Sequence, residues 1–187
     1  MLHMEQKNYE LEIVNILLKE EMHIRALAKK LETNHMTILR KIQILSRENV
    51  VDFKEQGKNK IYFLKNNSEA KSFIFMAENY KLKQILKKYP ELRKIIEAVQ
   101  KDKRIKLAVL FGSYAKGISK KNSDVDVYVE TTDDKIKSEI EKINMKLNIK
   151  IGKYNKENLL IKEIEKDYVI IKGVEKFYEN SNFFEKT

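Results

Sequence analysis

Two carboxylates and a glycine–serine pair stand apart from the rest of the chain for the chemistry they allow. Asp124 and Asp126 sit two residues apart in a stretch that alternates with Val125, Val127 and Val129. On a β-strand that spacing turns both acids to one face. Paired carboxylates of this kind hold a hard divalent ion such as Mg2+, which in turn binds phosphates and offsets charge as a phosphoryl bond is exchanged. Upstream, the apolar run Leu107-Ala108-Val109-Leu110-Phe111 ends in Gly112-Ser113. A glycine there lets the backbone approach a triphosphate, and a serine hydroxyl with neighbouring N–H groups can cradle its oxygens. Lys116, Lys120 and Lys121 add positive charge to the loop, and Ser123 directly precedes the acidic pair. Gly112, Ser113, Lys116, Lys120, Lys121 and Ser123 are therefore candidate nucleotide-binding residues. Asp124 and Asp126 are the candidate metal ligands and catalytic pair, with ATP or another nucleoside triphosphate and Mg2+ as the implied ligands.

Composition narrows the alternatives. The chain has no cysteine, which excludes a disulfide framework, a thiolate zinc site and a cysteine nucleophile. Its histidines are His3, His23 and His35, so the second half contains neither a histidine metal site nor a Ser-His triad. A hydrophobic content of 42% supports real cores. No apolar run approaches the length of a membrane-spanning helix, and Met1-Leu2-His3-Met4-Glu5 lacks the layout of a secretory signal; a cytoplasmic protein without membrane partners is expected. The formal net charge is +10, and residues 81–106 alone hold ten Lys/Arg against three Asp/Glu. Such an excess points to a polyanionic partner.

The elements that must position these residues follow from periodicity and punctuation. Leu11, Val14, Ile16, Leu17 and Leu18 make a helical stripe over residues 9–20, and Ile24, Leu27, Ala28 and Leu31 make a second over 23–31. After the polar Glu32-Thr33-Asn34, Asn34 is placed to cap a third helix running to about Arg47. Two short strands, 50–54 and 60–64, flank a glycine-containing tip and predict a hairpin. Residues 68–88 read as one helix, and Pro90 suits the first turn of the next. Beyond it, strands are predicted at 105–111, 124–130, 148–152 and 168–172, with helices at 133–147 and 155–165. The expected class is α+β or α/β. Three regions are predicted: 1–66, a helical connector over 67–89, and 90–187 with a small mixed sheet and flanking helices.

The segment LFGSYAKGISKKNSDVDVYVE resembles the DNA polymerase β-type nucleotidyltransferases, in particular the small minimal nucleotidyltransferase group of prokaryotes. The matching residues are Gly112-Ser113-Tyr114-Ala115-Lys116-Gly117 and Ser123-Asp124-Val125-Asp126, and the similarity extends over about residues 90–172. The resemblance implies a nucleotidyltransferase fold, a nucleoside triphosphate with Mg2+, and transfer of a nucleotidyl group, AMP above all, to a protein or small molecule. Because small members of this family act as antitoxins, a cognate toxin is among the implied acceptors. The family also implies a third carboxylate on the strand after the intervening helix. The position expected to match it is Lys150; Glu130 and Glu157 are the acids that could substitute, but neither sits where the family places its third carboxylate. The alternative is therefore a regulator whose nucleotidyltransferase-like domain is catalytically inactive.

Three helices followed by a hairpin is the order of a winged helix-turn-helix, and IRALAKKLETNHMTILRKIQILSRENVV resembles such domains in prokaryotic transcriptional regulators. The resemblance implies double-stranded DNA as a partner. Asn34, His35, Thr37, Arg40 and Lys41 at the start of the third helix, with Lys58 and Lys60 in the wing, are the expected DNA-binding residues. The helix over 68–88 is a reasonable element for a homodimer.

Overall fold

Polar caps set where the N-terminal helices begin. In the computed structural model, which describes residues 7–185, α1 (Tyr9–Leu17) is capped by Asn8, α2 (Ile24–Lys30) by His23 and α3 (His35–Arg47) by Asn34. Each cap side chain accepts a backbone N–H from the first turn, at 3.2, 3.0 and 2.8 Å respectively. The opening stretch Met1–Glu5 lies outside the described residues. The stops are equally local. After α2, Glu32 adopts φ 52° while Thr33 N–H donates to Ala28 O and Glu32 N–H to Lys29 O. After α3, Asn49 at φ 61° repeats the arrangement, with Val50 N–H bound to Leu45 O and Asn49 N–H to Ser46 O. Both are Schellman stops built without glycine.

The hairpin pairs β1 (Val51–Gln56) antiparallel with β2 (Asn59–Leu64). Tyr62 also exchanges two backbone hydrogen bonds with Met22, which ties the wing to the segment before α2. Ile13, Val14, Leu27, Ile38, Ile42, Leu45 and Val50 are buried beneath these elements. The chain divides into two compact units, Met1–Ala77 and Glu78–Thr187, with the division inside α4 (Ser68–Lys88). The first unit has the element order of a winged helix-turn-helix. Among the described residues no helix is long and apolar enough to cross a membrane.

The second unit is a mixed four-stranded sheet with helices on its faces. A 3-10 turn at Pro90–Leu92 leads into α5 (Arg93–Lys101), then β3 (Ala108–Phe111) and the single turn α6 (Gly112–Ala115). β4 (Val125–Glu130), α7 (Asp134–Glu141), β5 (Leu147–Gly152), α8 (Leu159–Lys166), β6 (Val169–Lys172) and α9 (Val174–Asn180) follow. The strand order is β5-β4-β3-β6. β4 and β5 are parallel, as a helical crossover through α7 requires, and β3 is antiparallel to both β4 and β6.

Val125, Val127 and Val129 join one core cluster with Ile85, Ile95, Ile96, Val99, Ile136 and Ile140. The alternate residues of β4 face the other way. There Tyr128 meets Tyr154, and the aromatic chain continues through Phe177 to Tyr178, Phe183 and Phe184. The Tyr/Phe-rich end of the chain thus packs on its own unit. Glu78, buried to 1% exposure, accepts from the Tyr178 hydroxyl at 2.7 Å and from Lys81 Nζ at 3.1 Å. Gly173 opens α9 at φ 80°, where a Cβ would meet Lys106 O at 2.2 Å; only glycine fits.

Several predicted elements are shorter than periodicity proposes; the first helix stops at Leu17, and the strands expected from 105 and 168 begin at Ala108 and Val169. The helix expected over 133–147 ends at Glu141, because Leu147 must pair with Val125. A turn closed by Asn144, whose side chain accepts from Lys146 N–H at 2.9 Å, makes the reversal. The helix expected over 155–165 starts only after Asn158, which caps α8. The strand expected from Asp124 begins at Val125.

Candidate functional site

The nucleotide candidates gather where β3 ends beside the start of β4. Antiparallel register sets Phe111 opposite Asp126, which brings the next residue, Gly112, against the Asp126 carboxylate. Gly112 has φ 69°, and a Cβ on it would fall 2.5 Å from Asp126 Oδ2. The glycine is thus required twice, for its left-handed backbone and for the room it leaves the acid. It also opens α6, whose first-turn N–H groups have no acceptor within so short a helix. Ser113, half-buried, is the second residue of that turn, and its carbonyl accepts from Ile118 N–H at 3.0 Å.

Tyr114 anchors the turn from behind, at 4% exposure, with its ring edge-on to Tyr89 at 4.9 Å. Burial, and then the negative charge of Glu91, push its hydroxyl above the usual tyrosine range. The following loop is pinned at two points. Lys88 Nζ donates to Gly117 O, and Lys146 Nζ donates to Lys121 O, both at 2.7 Å. Lys116, Lys120 and Lys121 are exposed along it. Ser123 closes the loop: its hydroxyl accepts from Lys120 N–H at 2.9 Å, and its own N–H donates to Lys120 O at 2.9 Å. That engagement gives Ser123 a turn-forming role.

Asp124, exposed, precedes β4, whereas Asp126, half-buried, lies within it. The residue beside Asp126 on the neighbouring strand is Asn148, not Lys150. Parallel register pairs Asp126 with Asn148 and Tyr128 with Lys150, and Asn148 Nδ2 donates to Asp126 Oδ1 at 2.8 Å. Lys150 is two pairs further along and exposed, so it is Asn148 that occupies the place expected of Lys150. An amide here orients the carboxylate but brings neither a third negative charge nor a proton acceptor of carboxylate strength.

Neither other acid supplies the missing group. Glu130 lies at the far end of β4, bound by Lys176 Nζ at 2.5 Å and Asn180 Nδ2 at 3.1 Å. Glu157 is exposed on the turn before α8. Among the described residues no group of three or more His, Asp or Glu side chains could hold a metal ion. The donors present are two carboxylates of hard-ion character, which fit Mg2+ where further oxygens come from phosphates or water.

The DNA candidates occupy the first unit. His35, Lys58 and Lys60 come together around a hollow of about 370 Å³, also lined by His23, Arg25 and Tyr62. Lys60 Nζ lies 3.9 Å over the Phe53 ring, which fixes the wing lysine. Arg40 is exposed and Thr37 half-buried on α3; neither lines the hollow. Asn34 has its side-chain oxygen committed to the helix cap. Lys41 turns instead toward α1 and pairs with Glu10 at 3.0 Å, so it is not on the hollow. Sequence reasoning missed Arg25 and His23. The signal was present in Arg25, an exposed cation between the inward-facing Ile24 and Leu27.

Residues 93–176 match the family model for polymerase beta nucleotidyltransferases. This part of the chain is a nucleotidyltransferase-family domain. None of the curated proteins matches the chain. Solved structures with partial similarity include the adhesin competence repressor AdcR from Streptococcus pyogenes, at 15% identity and a TM-score of 0.40 over 49% of this chain and 69% of that one. A variant of ZitR from Lactococcus lactis is similar at 12% identity and a TM-score of 0.38 over 49% of this chain and 63% of that one. A toxin–antitoxin with AMP-PNP is similar at 18% identity and a TM-score of 0.34 over 58% of this chain and 82% of that one. Scores of this size do not fix a fold, and each unit is read from its own topology and residues.

Proposed function

We propose that the chain is a DNA-binding regulator whose nucleotidyltransferase domain holds a nucleoside triphosphate with Mg2+, and that its second unit serves binding more than turnover. The observation that carries this reading is the hydrogen bond from Asn148 to Asp126. It leaves the acidic pair oriented for a metal–phosphate complex but without the third carboxylate that would help activate an attacking hydroxyl. Mg2+, when bound with nucleotide at Asp124 and Asp126, would neutralise phosphate charge. Gly112 and Ser113 would meet the phosphates through backbone and hydroxyl, with Lys116, Lys120 and Lys121 supplying charge at the rim. Calorimetric titration of the full chain with ATP, with and without Mg2+, is the test. Mg2+-dependent binding lost in Asp126→Asn is expected, and absence of heat in the native chain would remove the reading.

The first unit contributes the DNA-binding half of the proposal. Arg25, Lys58 and Lys60 around one hollow, with Arg40 exposed on α3, match the positive footprint that a phosphate backbone needs. Duplex binding that weakens steeply with salt is expected.

A second reading is transfer of AMP to a protein, a partner toxin among them, or to a small molecule. An acceptor oxygen would bond to the α-phosphorus as the bond to the β-phosphate oxygen breaks and pyrophosphate leaves. The intact Gly112-Ser113 and Asp124/Asp126 pattern favours it. Incubation with α-labelled ATP and candidate acceptors separates the two readings, because label transfer above an Asp124→Asn control occurs only under the second.

A further inference from the structure

We propose that a lysine-lined hollow beside the Gly112–Gly117 loop binds the phosphodiester backbone of a single-stranded polynucleotide, making a nucleic-acid strand the partner of the second unit. The hollow, about 600 Å³, lies between the end of α4 and the loop after α6. Gln84, Lys87, Lys88 and Lys116 line it over a floor of Ile85 and Ala115. No carboxylate is among its lining residues. The hollow also opens the stretch 81–106, where ten Lys/Arg face three Asp/Glu.

Its two walls are joined by the hydrogen bond from Lys88 Nζ to Gly117 O, so Lys88 helps shape the hollow that Lys87 and Lys116 also line. Ammonium groups on flexible stems suit a row of phosphates without regard to base identity. An apolar floor with one amide, Gln84, suits the face and edge of an unstacked base. A duplex offers a convex phosphate ridge and keeps its bases inside, so the concave form favours one strand. That such a strand would run beside the nucleotide site rests on the reading of Gly112-Ser113 given above; strand binding by the hollow does not.

The test uses the full chain and a fluorescein-labelled single-stranded RNA of about 12 nucleotides, by anisotropy without nucleotide or Mg2+, across roughly 50–200 mM KCl. The double variant Gln84→Glu/Lys87→Glu is expected to bind about tenfold more weakly, with the salt slope flattened by about 0.7 for each phosphate no longer neutralised. The milder Lys87→Gln is expected to show a smaller loss in the same direction, with an unchanged melting temperature. Arg40→Ala/Lys58→Ala, in the first unit, is expected to leave RNA binding within about twofold while weakening duplex DNA binding.

Three results would overturn the proposal. RNA binding could be unaffected by both hollow variants, or lost equally in the first-unit variant. Alternatively, loss of ATP binding in the hollow variants, with ATP displacing the RNA, would make the hollow part of the nucleotide's own site. Failure of the native chain to bind ATP, with RNA binding still lost in the hollow variants, removes the nucleotide reading and keeps this one.

Discussion

The two candidate sites are built on opposite principles. Around Asp126 the carboxylate, the glycine beside it and the following loop are each held by a second group. The register of β3 against β4 presents Gly112 to the carboxylate, Asn148 bonds its Oδ1, and Lys88 and Lys146 pin the loop between. Around the hollow of the first unit, the cations stand on a helix surface and a hairpin wing, most of them exposed. The first arrangement is preorganised and intolerant of change, as a site for one small ligand must be. Under the proposed DNA binding the second is additive, since each cation would contribute a similar share of phosphate attraction and none would be indispensable. Substitutions therefore ought to act all-or-none in one region and by increments in the other.

The largest effect is expected at Gly112. Gly112→Ala places a Cβ where Asp126 Oδ2 now lies and forces a left-handed backbone on an L-residue. Strain of about 1–2 kcal/mol, together with displacement of a charged hydrogen bond worth about 1.5–3 kcal/mol, should abolish ATP binding and lower the stability of the second unit. Denaturant unfolding and ATP calorimetry read the two losses. A variant that bound ATP normally would show that the Gly112–Asp126 contact does not shape the site.

Next is Asn148→Asp, which sharpens the same comparison. Two carboxylates side by side repel, so without metal the variant loses about 1.5–3 kcal/mol. With Mg2+ the loss should reverse, giving a metal-dependent rise in melting temperature larger than that of the native chain. Nucleotidyl transfer should increase as the third acid is supplied. If Mg2+ does not stabilise the variant more than the native chain, position 148 is not part of the metal site.

In the first unit the expected response is graded. Arg25→Ala, Lys58→Ala and Arg40→Ala should each reduce the slope of log K against log salt for duplex DNA by about 0.9, and pairs of them should add. Lys41→Ala should lower stability slightly through its Glu10 pair and leave the salt slope alone. An Arg25→Ala variant with native slope would remove the hollow from the DNA interface.

The same contrast explains what the sequence could and could not reveal. Gly112-Ser113 and Asp124/Asp126 are legible because their spacing is local and the strands around them alternate cleanly. Asn148 is not, because the choice between it and Lys150 depends on register between two strands. A two-residue slip keeps every side chain on its face, so alternation cannot tell the two positions apart. Only the pairing of Val125 with Leu147 decides it. Glu78 is illegible for a related reason. A glutamate in a long charged helix reads as solvent-facing, and its burial depends on Tyr178, a hundred residues later. Helix starts at Asn34 and Ser68 are legible from polar residues before apolar repeats, whereas the break after Glu141 is imposed by β5.

The aromatic face of the second unit gives a pH test. Tyr128, Tyr154, Tyr168 and Tyr178 all have hydroxyls raised above the ordinary 10.0. Burial is the main cause in each, with Glu78 adding to it at Tyr168 and Tyr178. A raised folded pKa means that the folded chain keeps protons that the unfolded chain releases. The stabilising contribution is complete below pH 10 and falls as pH rises beyond it. Ultraviolet titration should show these four tyrosines ionising only as the second unit unfolds. Tyr178→Phe should reduce the alkaline loss of stability. Reversible ionisation of all nine tyrosines near 10 in the folded chain would contradict the buried face.

The smallest expected effect lies at Glu32, in the helix-turn-helix itself. Its φ of 52° is a left-handed stop occupied by a residue with a Cβ, although the Schellman hydrogen bonds from Thr33 and Glu32 are both in place. Glu32→Gly removes a strain of about 1 kcal/mol and, against the greater freedom of glycine in the unfolded chain, should leave a net gain of a few tenths of a kcal/mol. The side chain is exposed, so nothing else is lost. Chemical denaturation should show a slightly higher midpoint at unchanged slope. DNA affinity should rise no more than the removal of one negative charge near the duplex provides, which salt titration separates from stability. A destabilised Glu32→Gly would mean that the α2–α3 turn draws on an interaction of the carboxylate, and the first unit would then be less additive than its exposed cations imply.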